Sequence, residues 1–275
     1  MDFEIVRDED IEVLLLDLHK KHGYDFLDYS RASMKRRLNR LVTIDKFPSF
    51  AEMRYRLIND EFYLRRFIEE ITVNVTEMFR DPEFFTYLRT HIIPTLGTYP
   101  FIRIWVAGCA SGEEAYSIAI LLKEANLLHK SIIYATDLNP RVLEKAKLGI
   151  YPLKLIKQYS ENYLTSGGQE DFSSYYSAKY DVVIFNELLR KKIVFSAHNL
   201  VSDSSFNSFQ LILCRNVLIY FNTHLQGRVF DLIDKSLDSL GYLALGTKET
   251  LRFADISSKY KQVDSKEKIW RKHDS

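Results

Sequence analysis

The sequence predicts an α/β protein: a mostly parallel sheet covered by helices on both faces, preceded by a helical domain and interrupted by a small antiparallel β insertion. Three observations carry this. Residues 1–73 hold a single glycine, Gly23, and their apolar residues recur at helical spacing. From about residue 101, β-rich runs alternate with helical ones, the pattern of a parallel sheet with crossover helices. Between about 151 and 198 that alternation fails, and short β runs flank turn residues instead. Two domains follow: 1–73 helical, and 74–275 as the α/β domain carrying the insertion.

Each element has its own signal. Ile11, Leu14, Leu15 and Leu18 form one helical stripe; Phe62, Leu64, Phe67, Ile68 and Ile71 form another. Pro48 breaks the pattern between them, and Ser49 is placed to cap the next helix. Asp81 is a candidate cap for a helix with Pro82 in its first turn. Residues 101–107 form a strand that runs into Gly108-Cys109-Ala110-Ser111-Gly112 and then a helix from Glu113 to about Ala125. Residues 131–136 form a second strand, followed by Asp137 and a helix with Asn139 as cap and Pro140 at its first position. Tyr180 to Phe185 and Lys192 to Ser196 are short β runs assigned to the insertion. Residues 209–214 form a buried strand, 224–240 a helix ending at Gly241, and 242–245 a strand. Residues 260–263 and 268–271 form a closing hairpin.

Bulk composition narrows the class. In 275 residues, a 46% hydrophobic content suffices for one sizeable core and a smaller domain. Lys+Arg number 38 and Asp+Glu 37, so a net charge of +1 gives no global attraction to nucleic acid or an anionic membrane. Any electrostatic partner must use a local patch. The apolar runs are too short to span a bilayer, and the start lacks a signal-peptide pattern, so a cytoplasmic protein without membrane insertion is expected. Two cysteines, Cys109 and Cys214, make neither a disulfide framework nor a metal motif. His19 and His22 lack a third ligand, so no metal is expected.

The chemistry concentrates at strand ends. A strand that ends in Gly-x-x-x-Gly and opens a helix brings backbone N–H groups close to a ligand. Glu113 and Glu114 follow at once and would repel a pyrophosphate on that helix N-terminus, which argues against a dinucleotide. A cationic or neutral ligand fits better, and S-adenosylmethionine is one. Ser111-x-x-Glu114 also reads as a plain capping box. Asp137, at the end of the second strand, is placed to accept hydrogen bonds from two ribose hydroxyls, or to serve as a turn residue. Arg31, Lys35, Arg36, Arg37 and Arg40 share one helix at spacings that put charges on a common face.

Asn74 to Arg80 (NVTEMFR), Ala107 to Ala119 (AGCASGEEAYSIA), Ala135 to Asn139 (ATDLN) and Cys214 to Phe221 (CRNVLIYF) resemble, in order and spacing, the four signature blocks of the CheR-type chemotaxis receptor (protein-glutamate) O-methyltransferases. The resemblance covers about 70–250, and more loosely the helical N-terminus. It implies a Rossmann-like class I methyltransferase sheet and S-adenosylmethionine as methyl donor, with S-adenosylhomocysteine as product. The substrate would be glutamate side chains on the cytoplasmic domain of chemotaxis receptors. It implies that Asn74, Thr76 and Arg80 contact the cofactor, with Arg80 reaching the active centre. Glu114 would bind the methionine ammonium, Asp137 the ribose, and Asn199 and Leu200 the adenine. Arg215 and Asn216 would line the pocket, and Tyr220 would lie near the transferred methyl. Arg36 and Arg40 would meet an acidic receptor helix. Residues 246–250 (GTKET) stand where many relatives carry a Gly-His-Ser-Glu-Ser-like run, so no histidine is available there. Taken without the resemblance, the residues leave two other readings: a methyltransferase acting on RNA or a small molecule, and a non-catalytic cofactor-sensing module.

Overall fold

The computed structural model describes residues 6–71 and 76–273. The chain divides into two compact units: residues 1–73 with 219–229, and residues 74–218 with 230–275. The sequence assigns 219–229 to the α/β domain; the structure groups this segment with the helical unit.

The helical unit is built on α1 (Asp8–His22), α2 (Arg31–Ile44), α3 (Phe50–Asn59) and α4 (Glu61–Ile71). Ile11, Leu14, Leu15 and Leu18 are fully buried, as the spacing requires. Gly23 ends α1 in the left-handed region, its N–H closing on the His19 carbonyl. Ser49 caps α3 by accepting from the Glu52 N–H. Phe62 breaks the α4 stripe and faces solvent, whereas Leu64, Phe67, Ile68 and Ile71 are buried. From the C-terminal half of the chain, Tyr29 bridges to Phe221, the Ser30 N–H donates to the Tyr220 carbonyl, and Asn222 donates to Asp28.

The second unit opens with α5 (Pro82–Tyr87), a π-helical turn over 88–92 and α6 (Ile93–Leu96). Its sheet contains β1 (Ile102–Ala107), β2 (Ser131–Asp137), β6 (Ile193–Ala197), β7 (Phe209–Cys214), β8 (Leu237–Leu245), β9 (Tyr260–Asp264) and β10 (Ile269–Lys272), in the order β6-β2-β1-β7-β8-β10-β9. Only β10 runs against the others. The central strands β1 and β7 are largely buried on both faces, β7 along its whole length, which is why they are mostly apolar, with Arg103 in β1 and Gln210 in β7 as the charged or amide-bearing interruptions. Helix α7 (Glu113–Glu124) follows β1, α8 (Pro140–Leu148) follows β2, and α11 (Thr223–Ser236), which belongs to this unit from residue 230 on, precedes β8. Asn139 caps α8 through the Arg141 N–H.

The insertion holds β3 (Ile150–Pro152), α9 (Ile156–Thr165), β4 (Tyr176–Lys179), β5 (Val182–Phe185) and α10 (Glu187–Arg190), with an antiparallel sheet in the order β3-β5-β4. Two assignments are corrected. Residues 193–196 of the run 192–196 belong to β6, the parallel edge of the main sheet beside β2, not to the insertion. The helix expected over 224–240 ends at Ser236, and Gly241 lies inside β8 rather than at a helix terminus.

Candidate active site

Strand β1 pairs with β2 on one side and β7 on the other, so the chain order reverses across it. The carboxyl ends of these strands form the crevice where such folds bind ligands. The loop after β1 turns tightly: the Gly108 and Cys109 N–H groups both donate to the Thr136 carbonyl, at 2.8 and 2.9 Å. Gly108 is left-handed (φ 74°), and a Cβ there would lie 2.4 Å from Cγ2 of Val217, so only glycine fits. Asp137, the last residue of β2, is 9% exposed. Its Oδ2 accepts from the Ala110 N–H and its Oδ1 from the Asn139 N–H, each at 2.9 Å. Burial pushes its carboxyl above the usual range in spite of these bonds. One carboxylate thus braces both loops, and each oxygen keeps a lone pair for a hydroxyl donor.

Arg215, directly after β7, is the buried cation of this edge. Its side chain is 2% exposed; Nη1 meets Glu114 at 2.7 Å and Nη2 meets Asp81 at 2.6 Å. The guanidinium lies 3.9 Å over the Phe84 ring, and the Arg80 carbonyl stands 3.5 Å from Nη1. Two local expectations are corrected by this cluster. Asp81 makes no cap bond to α5, because Arg215 holds its carboxylate. Ser111 and Glu114 form no capping box: Glu114 turns to Arg215, and Ser111 Oγ donates to the Glu113 carboxylate. Phe79, Asp81, Ala110 and Asn216 all carry positive φ, so strained backbone gathers at this edge, as it does at functional sites.

Glu113 is buried, and desolvation raises its carboxyl to about 7 although Ser111 and Tyr159 hydroxyls donate to it. It lines a cavity of about 580 Å³ with Thr76, Ser111, Tyr151 and Tyr159. The Tyr151 hydroxyl donates to the Ser111 carbonyl at 2.7 Å, which ties the insertion to the glycine loop. Thr76 therefore reaches a cavity that also touches that loop. Asn199 lies after β6, its side chain accepting from the Val201 N–H, and Leu200 beside it is buried. The Asn216 N–H donates to Glu249, a buried residue that the sequence reading did not single out. Asn74 lies outside the described residues.

In the helical unit, the basic face of α2 is largely paired. Arg31 faces Glu12 at 3.9 Å, Lys35 faces Asp8 at 2.8 Å, and Arg40 faces Glu70 at 3.2 Å. Arg36 is exposed. Tyr220 lies here too, with the Arg37 guanidinium 5.7 Å from its ring centre.

The donor set suits S-adenosylmethionine. Carboxylates at Glu114 and Asp137 match a cationic amino-acid end and a ribose, and the helix that opens with Glu113-Glu114 is hostile to a phosphate. The sheet order with its single reversed strand, together with this edge, defines the class as an S-adenosylmethionine-dependent methyltransferase. Residues 74–269 match the family model "CheR methyltransferase, SAM binding domain", and residues 9–72 match "CheR methyltransferase, all-alpha domain". The chain therefore belongs to the CheR methyltransferase family. It is 42% identical to "Putative methyltransferase Cher3" of Pseudomonas putida, over 97% of this chain and 98% of that protein. It is 32% identical to a chemotaxis protein methyltransferase of Listeria innocua (83% and 85% covered) and 31% identical to one of Borreliella burgdorferi (92% and 91% covered).

Proposed function

We propose that the chain methylates glutamate side-chain carboxylates on the cytoplasmic domain of chemotaxis receptors, giving methyl esters and S-adenosylhomocysteine. The observation that carries the reading is the Arg215 cluster beside the Asp137-braced glycine loop. It gathers, at one sheet edge, a fixed cation and the carboxylates of Glu114, Asp81 and Asp137, which supports a ligand with a cationic end and a pair of hydroxyls. S-adenosylmethionine, when bound, supplies an activated methyl group. Asp137 holds the ribose hydroxyls, Glu114 the ammonium end, Thr76 and Asn216 the flanks, and Asn199 with Leu200 the adenine. Arg80 orients the incoming carboxylate by a charge-assisted hydrogen bond. A glutamate titrates near pH ~4.3 and arrives ionised, so no side chain has to take a proton. The residues act by positioning. On the helical unit, Arg36 and Arg40 offer charge to an acidic receptor helix.

The test is incubation with methyl-labelled cofactor and receptor cytoplasmic fragments. Label released as methanol in mild alkali marks a carboxyl ester. Alkali-stable label would assign the chain to nitrogen or carbon methylation instead. Cofactor binding without any label transfer would make it a sensing module.

A further inference from the structure

Two backbone N–H groups of the loop that carries Arg215 and Asn216 donate to one carboxylate, that of Glu249. Glu249 is 5% exposed and belongs to the loop that follows β8. Its Oε2 accepts from the Asn216 N–H at 2.9 Å and from the Gly246 N–H at 2.6 Å, and its Oε1 accepts from the Leu218 N–H at 2.7 Å. Three backbone donors from two distant loops thus converge on one side chain. Asn216 sits between two of these bonds with φ 60°, in the left-handed region that asparagine enters more readily than most residues with a side chain. Gly246 completes the clamp: a Cβ there would lie 2.8 Å from both the Asn216 nitrogen and Glu249 Oε2.

We infer that Glu249 is a positioning residue of the cofactor site, holding the 215–218 loop in the left-handed turn that presents Arg215 and Asn216 to the crevice. This rests on the function proposed above. An ionised carboxylate is the group that can accept at both oxygens; an amide of the same shape would turn a donor toward a donor. A role limited to stability would lower the melting temperature and leave the affinity of each folded molecule unchanged. A positioning role moves that affinity.

The experiment is calorimetric titration of the full chain with S-adenosylhomocysteine, for wild type, Glu249→Gln and Gly246→Ala, with folding checked by circular dichroism. Both variants should bind at a stoichiometry of one with a dissociation constant raised about tenfold or more: Glu249→Gln through the loss of a charged hydrogen bond, Gly246→Ala through the displacement its Cβ forces on the Asn216 nitrogen. Gly246→Ala leaves every hydrogen-bonding group in place and decides the matter alone should Glu249→Gln not fold. A folded variant that binds within about twofold of wild type overturns the inference while the proposed function stands. Absence of binding by the wild type overturns the proposed function, and this inference with it.

Discussion

Two sets of arginines meet carboxylates in this chain under opposite conditions. Arg215 is 2% exposed, holds two carboxylates and lies on an aromatic ring. Arg40 on α2 is 65% exposed and meets one carboxylate at its rim. The first cannot exchange partners without leaving buried charge uncompensated. The second gives up its partner at small cost, because water screens the pair. A fixed cation can hold geometry, whereas an exchangeable one is free to trade its partner for another charge.

The largest effect should come from Arg215→Ala. It strips Glu114 and Asp81 of their counter-charge and empties the space over Phe84, and it should cost about 3–5 kcal/mol in urea denaturation. A loss under about 1 kcal/mol would erase the distinction between the two sets. Asp137→Asn comes next. The amide turns a donor toward the Ala110 or Asn139 N–H, and affinity for S-adenosylhomocysteine should fall about tenfold to a hundredfold by calorimetry. An unchanged affinity would confine Asp137 to bracing the loops.

Glu113 gives a smaller effect with a definite sign. Its carboxyl is raised from 4.5 to about 7 in the folded chain, so between those values the folded state holds a proton that the unfolded state releases. Stability from this group is present in full below pH 4.5 and is lost as pH rises through 7. The slope is at most about 1.4 kcal/mol per pH unit. Glu113→Gln should flatten the melting-temperature profile across that window; an unchanged profile would mean that Glu113 stays ionised. The smallest effect belongs to Arg36→Ala and Arg40→Ala, which should leave the melting temperature within about 2 °C. They should raise the KM for receptor at low salt, with the difference fading as salt is added. A salt-independent KM would remove α2 from the encounter.

Much of the main sheet was readable because its signals are local. The β1 loop with its two glycines, the Asn139-Pro140 cap and the apolar run Leu211 to Cys214 in β7 each announce an element within a few residues. The structure departs from the local pattern where a distant partner decides. Asp81 and Glu114 look like capping residues until Arg215, more than a hundred positions on, takes both side chains. Residues 237–240 continue a helical pattern, and Gly241 resembles a terminus, yet pairing with β7 draws the segment into β8. Ile193 and Phe195 alternate with exposed Val194 and Ser196, a pattern that an edge strand of the main sheet shares with an inserted hairpin. Within the 246–250 run, Glu249 gives no sign of its role, because an acid in a loop shows nothing of the backbone amides it gathers.

The stretch 219–229 bears on how the molecule can be cut. Tyr29 packs edge-on to Phe221 at 5.0 Å, the Asn222 N–H donates to the Asp28 carbonyl, and His224 reaches Asp28. A fragment ending at residue 73 would therefore be missing a piece of its own interior, supplied by chain synthesised almost 150 positions later. An expression fragment intended to carry the helical unit alone should graft 219–229 through a short glycine-rich linker, and the ungrafted version should expose the Tyr29 ring and bind hydrophobic dyes.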